Sequence, residues 1–201
     1  HCRTEQEAQA LLESGDFGDA PVDDITATTA PADLTAAGRP EIAIYGDSTA
    51  LRIGLGFGGW VQATGLARGE GGYTELGCGL MPADHFTHFR YDGEADAPDV
   101  CPQVDQVWAD DIAATDPDIA VVMVGPWEVA DWWDDERGEW RHIGQPDFDD
   151  LMLGRIRNAV DILSAGGAQV YWLTSPRIEV GMQDGRPPAE ERPASDPQRM
   201  E

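Results

Sequence analysis

The chain has 201 residues, enough to bury the core of one α/β domain without calling for a second. It carries 38 acidic residues against 13 basic ones, every basic residue is arginine, and the formal net charge is −25. That balance argues strongly against nucleic acid and the anionic face of a membrane as partners, since both would be repelled.

The acidic residues are spread along the chain, which points to a solvated acidic surface suited to a high-salt organism. Stability is expected to rise with salt as self-repulsion is screened; an unfolding midpoint indifferent to salt would contradict this. No run of about 18 apolar residues occurs, so no membrane-spanning helix is expected within these residues. The first residue is His1 rather than Met, and the chain is expected to be excised from something longer or processed.

Residues 1–40 read as an appendage: an amphipathic helix from Glu5 to Glu13 with Ala8, Leu11 and Leu12 on one face, then a linker rich in Ala, Pro, Asp and Thr. The domain proper is expected over residues 41–201. Ile42 to Tyr45, bounded by Pro40 and Gly46, has the length and composition of a buried parallel strand. Gly46 permits a sharp turn, and Asp47, Ser48 and Thr49 can accept hydrogen bonds from a helix start. Ser48 therefore falls at a strand-to-helix corner, where open α/β sheets bind their ligands. Its bland alternative, shared with Asp47, is a helix N-cap.

A helix is predicted over 49–64, with Gly54, Gly56, Gly58 and Gly59 letting it pack closely on the sheet or a neighbouring loop. These glycines are not a dinucleotide fingerprint, because the corner after the strand is already occupied by Gly46 to Ser48. A short second strand is expected from Tyr73 to Leu76, running into Gly77-Cys78-Gly79. Residues 81–102 read as a polar, aromatic excursion; His85 and His88 lack a third ligand of suitable spacing, so no metal is expected. Cys78 and Cys101 flank this excursion and are expected to form a disulfide across it, with two buried thiols as the alternative; Cys2 is left over. Further on come a helix over 104–115, a central strand over 119–124, a helix over 149–165 and a strand over 170–174. Trp132, Trp133 and Trp140 read either as sugar-stacking faces on a loop or as a small satellite core.

Gly46-Asp47-Ser48 after the first strand, the Gly77-Cys78-Gly79 loop, and Gly125-Pro126-Trp127-Glu128 after the central strand together resemble the blocks of the SGNH (GDSL-type) hydrolases. With Trp140-Arg141-His142-Ile143-Gly144, the set is similar to SGNH domains attached to membrane acyltransferases of the acyltransferase-3 type, over residues 41–176. The resemblance implies a flavodoxin-like, three-layer α/β/α fold with a mainly parallel sheet. It implies Ser48 as the nucleophile of acyl transfer, with the N–H groups of Ser48 and of Gly79 or Gly77 holding the oxyanion, and no cofactor. Asp47 shapes the corner. The implied partner is an acylated or acyl-accepting glycan, the location extracytoplasmic, and a membrane acyltransferase domain belongs to such a parent protein.

Two departures stand out. Trp127 takes the place of the asparagine that donates to the oxyanion in that family, leaving its indole N–H as a substitute to be tested. The Asp-x-x-His motif that supplies the base is absent, and His142 lies in the wrong segment to replace it. The C-terminal strand and helix of the fold are therefore expected on a separate C-terminal fragment of the same protein, which brings the Asp and His. The rival expectation is a catalytically inactive glycan-binding or assembly module; a nucleotide- or flavin-binding domain ranks third.

Overall fold

The computed structural model describes residues 38–69, 71–81, 85–87, 94–97 and 99–175. The expected helix over 5–13, the linker, His88 and the tail from residue 176 onward lie outside them. Strand β1, Glu41–Gly46, divides the molecule into two faces by its alternation. Ala43 and Tyr45 enter a large core with Trp108, Ile112, Ala159 and Leu163, whereas Ile44 joins Ala50 and Met123 in a smaller one.

The helices follow that split. Helix α1, Ser48–Thr64, packs Ile53 and Phe57 on the smaller core; α2, Val104–Thr115, and α3, Pro146–Ser164, cover the larger. Pro146 opens α3 at a position where a missing N–H costs nothing, three residues before the expected start. Strands β2 (Arg68–Gly69), β5 (Ile119–Met123) and β8 (Gln169–Trp172) complete a parallel sheet in the order β2-β1-β5-β8. The result is a mixed α/β fold with a parallel four-stranded sheet between helices, compatible with the expected three layers. Among the described residues β8 pairs on one side only, and Tyr171 on it is exposed.

The second strand lies earlier than predicted. Pairing with β1 occurs at Arg68 and Gly69, and the expected strand over 73–76 is reduced to one parallel bridge between Thr74 and Gly46. The cause is local: Gly71 and Gly72, at φ +63° and +97°, turn the chain out of the extended conformation between the two pairings. The glycines of α1 also differ from expectation. A Cβ on Gly54 would make ordinary contact with Ile44 at 3.9 Å, and one on Gly56, Gly58 or Gly59 would meet nothing within 4 Å. Gly54 and Gly58 instead line a groove of about 440 Å³ between α1 and β2, together with Ile42 and Ile44.

The described parts of the excursion and the tryptophan stretch contain strands. Strands β3 (His85–Thr87), β4 (Glu94–Asp96), β6 (Trp132–Asp134) and β7 (Glu139–Arg141) form a second, antiparallel sheet in the order β4-β3-β6-β7. Trp132 is fully buried, its indole N–H donating to the Trp127 carbonyl at 3.0 Å, so it belongs to the main core. Trp133 and Trp140 pair edge-to-face across the β6–β7 hairpin at 5.3 Å, half-buried. Arg141 is buried beneath it, bonded to Asp134 and Asp147 at 3.2 and 2.6 Å.

Cys78 and Cys101 form the expected disulfide, 23 residues apart. A crosslink of that span removes enough freedom from the unfolded chain to stabilise the fold by about 3 kcal/mol. Unfolding in urea with and without a thiol reductant is expected to show a loss of that size; coincident curves would contradict it.

Candidate functional site

β1 is where the chain changes direction in the sheet, since its neighbours β2 and β5 lie on opposite sides. A crevice at the carboxyl end of such a strand is the usual ligand position in open α/β sheets. Ser48 is the first residue of the helix that leaves this point, and it is half-buried.

The corner before Ser48 is built by Gly46 and Asp47. Gly46, at φ +141°, bonds the 73–75 segment on one side, donating to the Tyr73 carbonyl at 3.0 Å and accepting from Glu75 N–H at 2.9 Å. Asp47 is completely buried and donates its own N–H to the Met123 carbonyl at 3.3 Å. Its carboxylate accepts from Thr49 N–H at 2.7 Å and from Gly125 N–H at 2.9 Å. Asp47 is thus the N-cap of α1 and also the tie between the β1 corner and the loop after β5. Asp47 takes the Thr49 N–H, and that of Ser48, one residue earlier, has no hydrogen-bond partner among the described residues.

A third loop joins them. Glu128, in the short 3₁₀ turn Pro126–Val129 after β5, accepts from Leu80 N–H at 2.7 Å through Oε1. This fixes the Gly77–Leu80 loop against the 125–128 loop. Gly79 lies so close that a Cβ there would sit 2.5 Å from Glu128 Oε1 and 3.0 Å from Trp127 Cβ. Gly77 takes φ +81° and turns the chain before the disulfide. The loops after β1, around Gly77–Leu80 and after β5 therefore meet through two buried carboxylates.

Both carboxylates titrate above the ordinary range. Burial pushes Asp47 up, against the N–H groups of Thr49 and Gly125 that favour its charged form. Glu128 rises to about 8, through burial first and the neighbouring Asp47 charge second. Of the two, Glu128 is the one that favours the neutral form, since Asp47 accepts an N–H on each of its oxygens whereas Glu128 Oε2 has no hydrogen-bond partner among the described residues.

Ser48, Asp47, Gly77 and Gly79 thus lie on the converging loops. Trp127 is buried, with its indole edge-on to Phe86 at 5.1 Å. His142 lies in the loop before α3, with Nδ1 2.7 Å from the Ile143 carbonyl oxygen. Glu128 was not singled out as a site residue by sequence reasoning; the available signal is one acid set in the apolar run Val124 to Ala130. Among the described residues no group of three or more His, Cys, Asp or Glu side chains is placed to hold a metal ion, and no helix is long and apolar enough to cross a membrane.

No known protein-family model matches the chain, and no curated protein matches its sequence.

Proposed function

We propose that the chain carries an SGNH-type serine site for ester hydrolysis or O-acyl transfer on acyl, chiefly acetyl, esters of carbohydrate. The observation that carries the proposal is the half-buried Ser48 at the switch point of the sheet, opening α1 where three loops converge. The Ser48 hydroxyl attacks the ester carbonyl while a base takes its proton. The oxyanion that develops is held by the N–H of Ser48 and that of Gly79 or Gly77. The tetrahedral intermediate collapses to an acyl-serine and expels the alcohol, which receives the proton back; water or a sugar hydroxyl then accepts the acyl group. The base is an imidazole oriented by an aspartate, brought by a C-terminal fragment of the same protein, and the side of β8 that no other described strand pairs is a place for further strand pairing. Carbohydrate as substrate, an extracytoplasmic location and a membrane acyltransferase domain in the parent protein rest on the family resemblance.

The test is covalent. A fluorophosphonate applied to the complete protein is expected to leave its adduct on Ser48, read by peptide mass spectrometry; intact Ser48 after prolonged exposure would rule out covalent catalysis here.

A second reading has its own observation. A cleft of about 410 Å³ is lined by Trp133, Asp134 and Arg141 of the second sheet and Glu136 of its β6–β7 turn, together with Met81 and Leu151. An aromatic face beside acidic and basic hydrogen-bonding groups suits a sugar ring, and it suits equally a glycan-binding module with no catalysis. Turnover of an aryl acetate, lost on Ser48→Ala, separates the two.

A further inference from the structure

Glu128 takes no part in the chemistry just described, yet it is buried at the junction of the loops. Its Oε1 accepts the Leu80 N–H, and its Oε2 has no hydrogen-bond partner among the described residues. The charged group that faces it is the buried Asp47, whose own oxygens are taken by Thr49 and Gly125. Arg155 of α3, which reaches the same Leu80, is engaged elsewhere: Nε donates to the Leu80 carbonyl at 2.7 Å, and Nη1 and Nη2 hold Asp105 at 2.8 and 2.7 Å. An ionised carboxylate in that place would be dehydrated and next to a second negative charge, a cost that the backbone N–H groups of Leu80, Gly125 and Glu128 offset only in part, so the neutral acid is the form the site favours.

Leu80 is thus gripped through both its backbone polar groups, by Glu128 on the N–H and by Arg155 on the carbonyl. Gly79 has no space for a side chain between Glu128 and Trp127. The position of the Gly79–Leu80 backbone beside the Ser48 corner therefore depends on the Glu128 carboxyl. We propose that Glu128 is a positioning residue for the acyl-transfer site, a neutral carboxylic acid that holds the Gly79–Leu80 backbone in place while it keeps its proton; ionisation strengthens the Leu80 N–H bond itself but sets a dehydrated charge beside Asp47, and the junction opens to water to relieve it. The proposal rests on the serine reading for its consequence in catalysis, but the clamp itself is measurable without activity.

The direction with pH follows from Glu128 rising to about 8. A carboxyl raised in the folded state stabilises fully below the ordinary carboxylate range and loses that contribution as pH climbs through about 8. Glu128→Gln keeps an acceptor for Leu80 N–H and cannot ionise. In the complete protein, the thermal midpoint of wild type is expected to fall relative to Glu128→Gln from pH 5 to 8 and to run parallel above. kcat/KM on an aryl acetate is expected to decline in wild type above pH 8 and to stay level in Glu128→Gln. Hydrogen exchange of the peptide containing Gly79 and Leu80, measured on wild type alone and corrected for the intrinsic rate, is expected to lose protection across the same range. Midpoints parallel at every pH, an alkaline decline that survives in Glu128→Gln, or exchange protection unchanged to pH 9 would each overturn the proposal. If neither protein turns over ester, the serine reading falls, and the midpoints and exchange still decide on Glu128.

Discussion

Ser48→Ala is expected to lower turnover of an aryl acetate by a factor of roughly 10⁴ or more in the complete protein, while leaving the unfolding midpoint where it was. The first half follows from the proposed acyl-serine: without Oγ no covalent intermediate forms, and the remaining N–H donors retain only a fraction of the rate enhancement. The second half follows from the local geometry. The cap of α1 is Asp47, not Ser48, and alanine is a good residue for a first helical turn. The change should therefore stay within about 0.5 kcal/mol of wild type. Asp47→Ala would behave differently. It strips two N–H groups, those of Thr49 and Gly125, of their buried acceptor, and costs stability together with activity. A Ser48→Ala protein that still cleaves the ester at the wild-type rate would sink the assignment of Ser48, whichever residue then proved responsible.

The parts of this chain that could be read in advance are those whose signal is local. Ile42 to Tyr45 and Ile119 to Val124 are short apolar runs, and central strands follow directly because both faces are covered. Val104, Trp108 and Ile112 recur at helical spacing, and α2 appears where they predict it. A helix start at Gly-Asp-Ser was equally plain, since a turn followed by acceptors offers a cap, but the sequence left Asp47 and Ser48 as alternatives and the structure chooses Asp47. What escaped is decided by pairing at a distance. Arg68 and Gly69 are exposed and carry no strand pattern; they count as a strand only because the β1 backbone lies alongside. Trp132 to Asp134 and Glu139 to Arg141 pair across an acidic turn whose composition reads as loop, and alternation is too short there to show. Glu128 escaped for a related reason: its significance comes from Leu80 and Asp47, 48 and 81 residues away. The disulfide was legible as a possibility, and the structure chooses it over two thiols.

Gly46→Ala is expected to be the most damaging single methyl group in the described fold. Its Cβ would stand 1.8 Å from the Met123 carbonyl oxygen, 2.7 Å from the carbon of the same group and 2.9 Å from Ala50 Cβ, at a φ of +141° that side chains avoid. None of these neighbours can give way cheaply. Met123 lies on β5, which is hydrogen-bonded to β1 on one side and β8 on the other, and Ala50 is wholly buried in the first turn of α1. The corner itself must move, opening the Asp47 N–H to Met123 bond and the bridge to Thr74 with it. Combining backbone strain, overpacking and lost hydrogen bonds gives a cost of about 3 kcal/mol or more, a large share of the 5–15 kcal/mol typical of a domain. Because Ser48 rides on the same corner, activity should fall well below wild type even at temperatures where the variant remains folded, whereas Ser48→Ala removes activity alone. Thermal unfolding monitored by tryptophan fluorescence, with the aryl acetate assay run 20 °C below each midpoint, measures both; a Gly46→Ala midpoint equal to that of wild type would mean that the carbonyl of Met123 does not stand where the corner needs it to be absent of side chains.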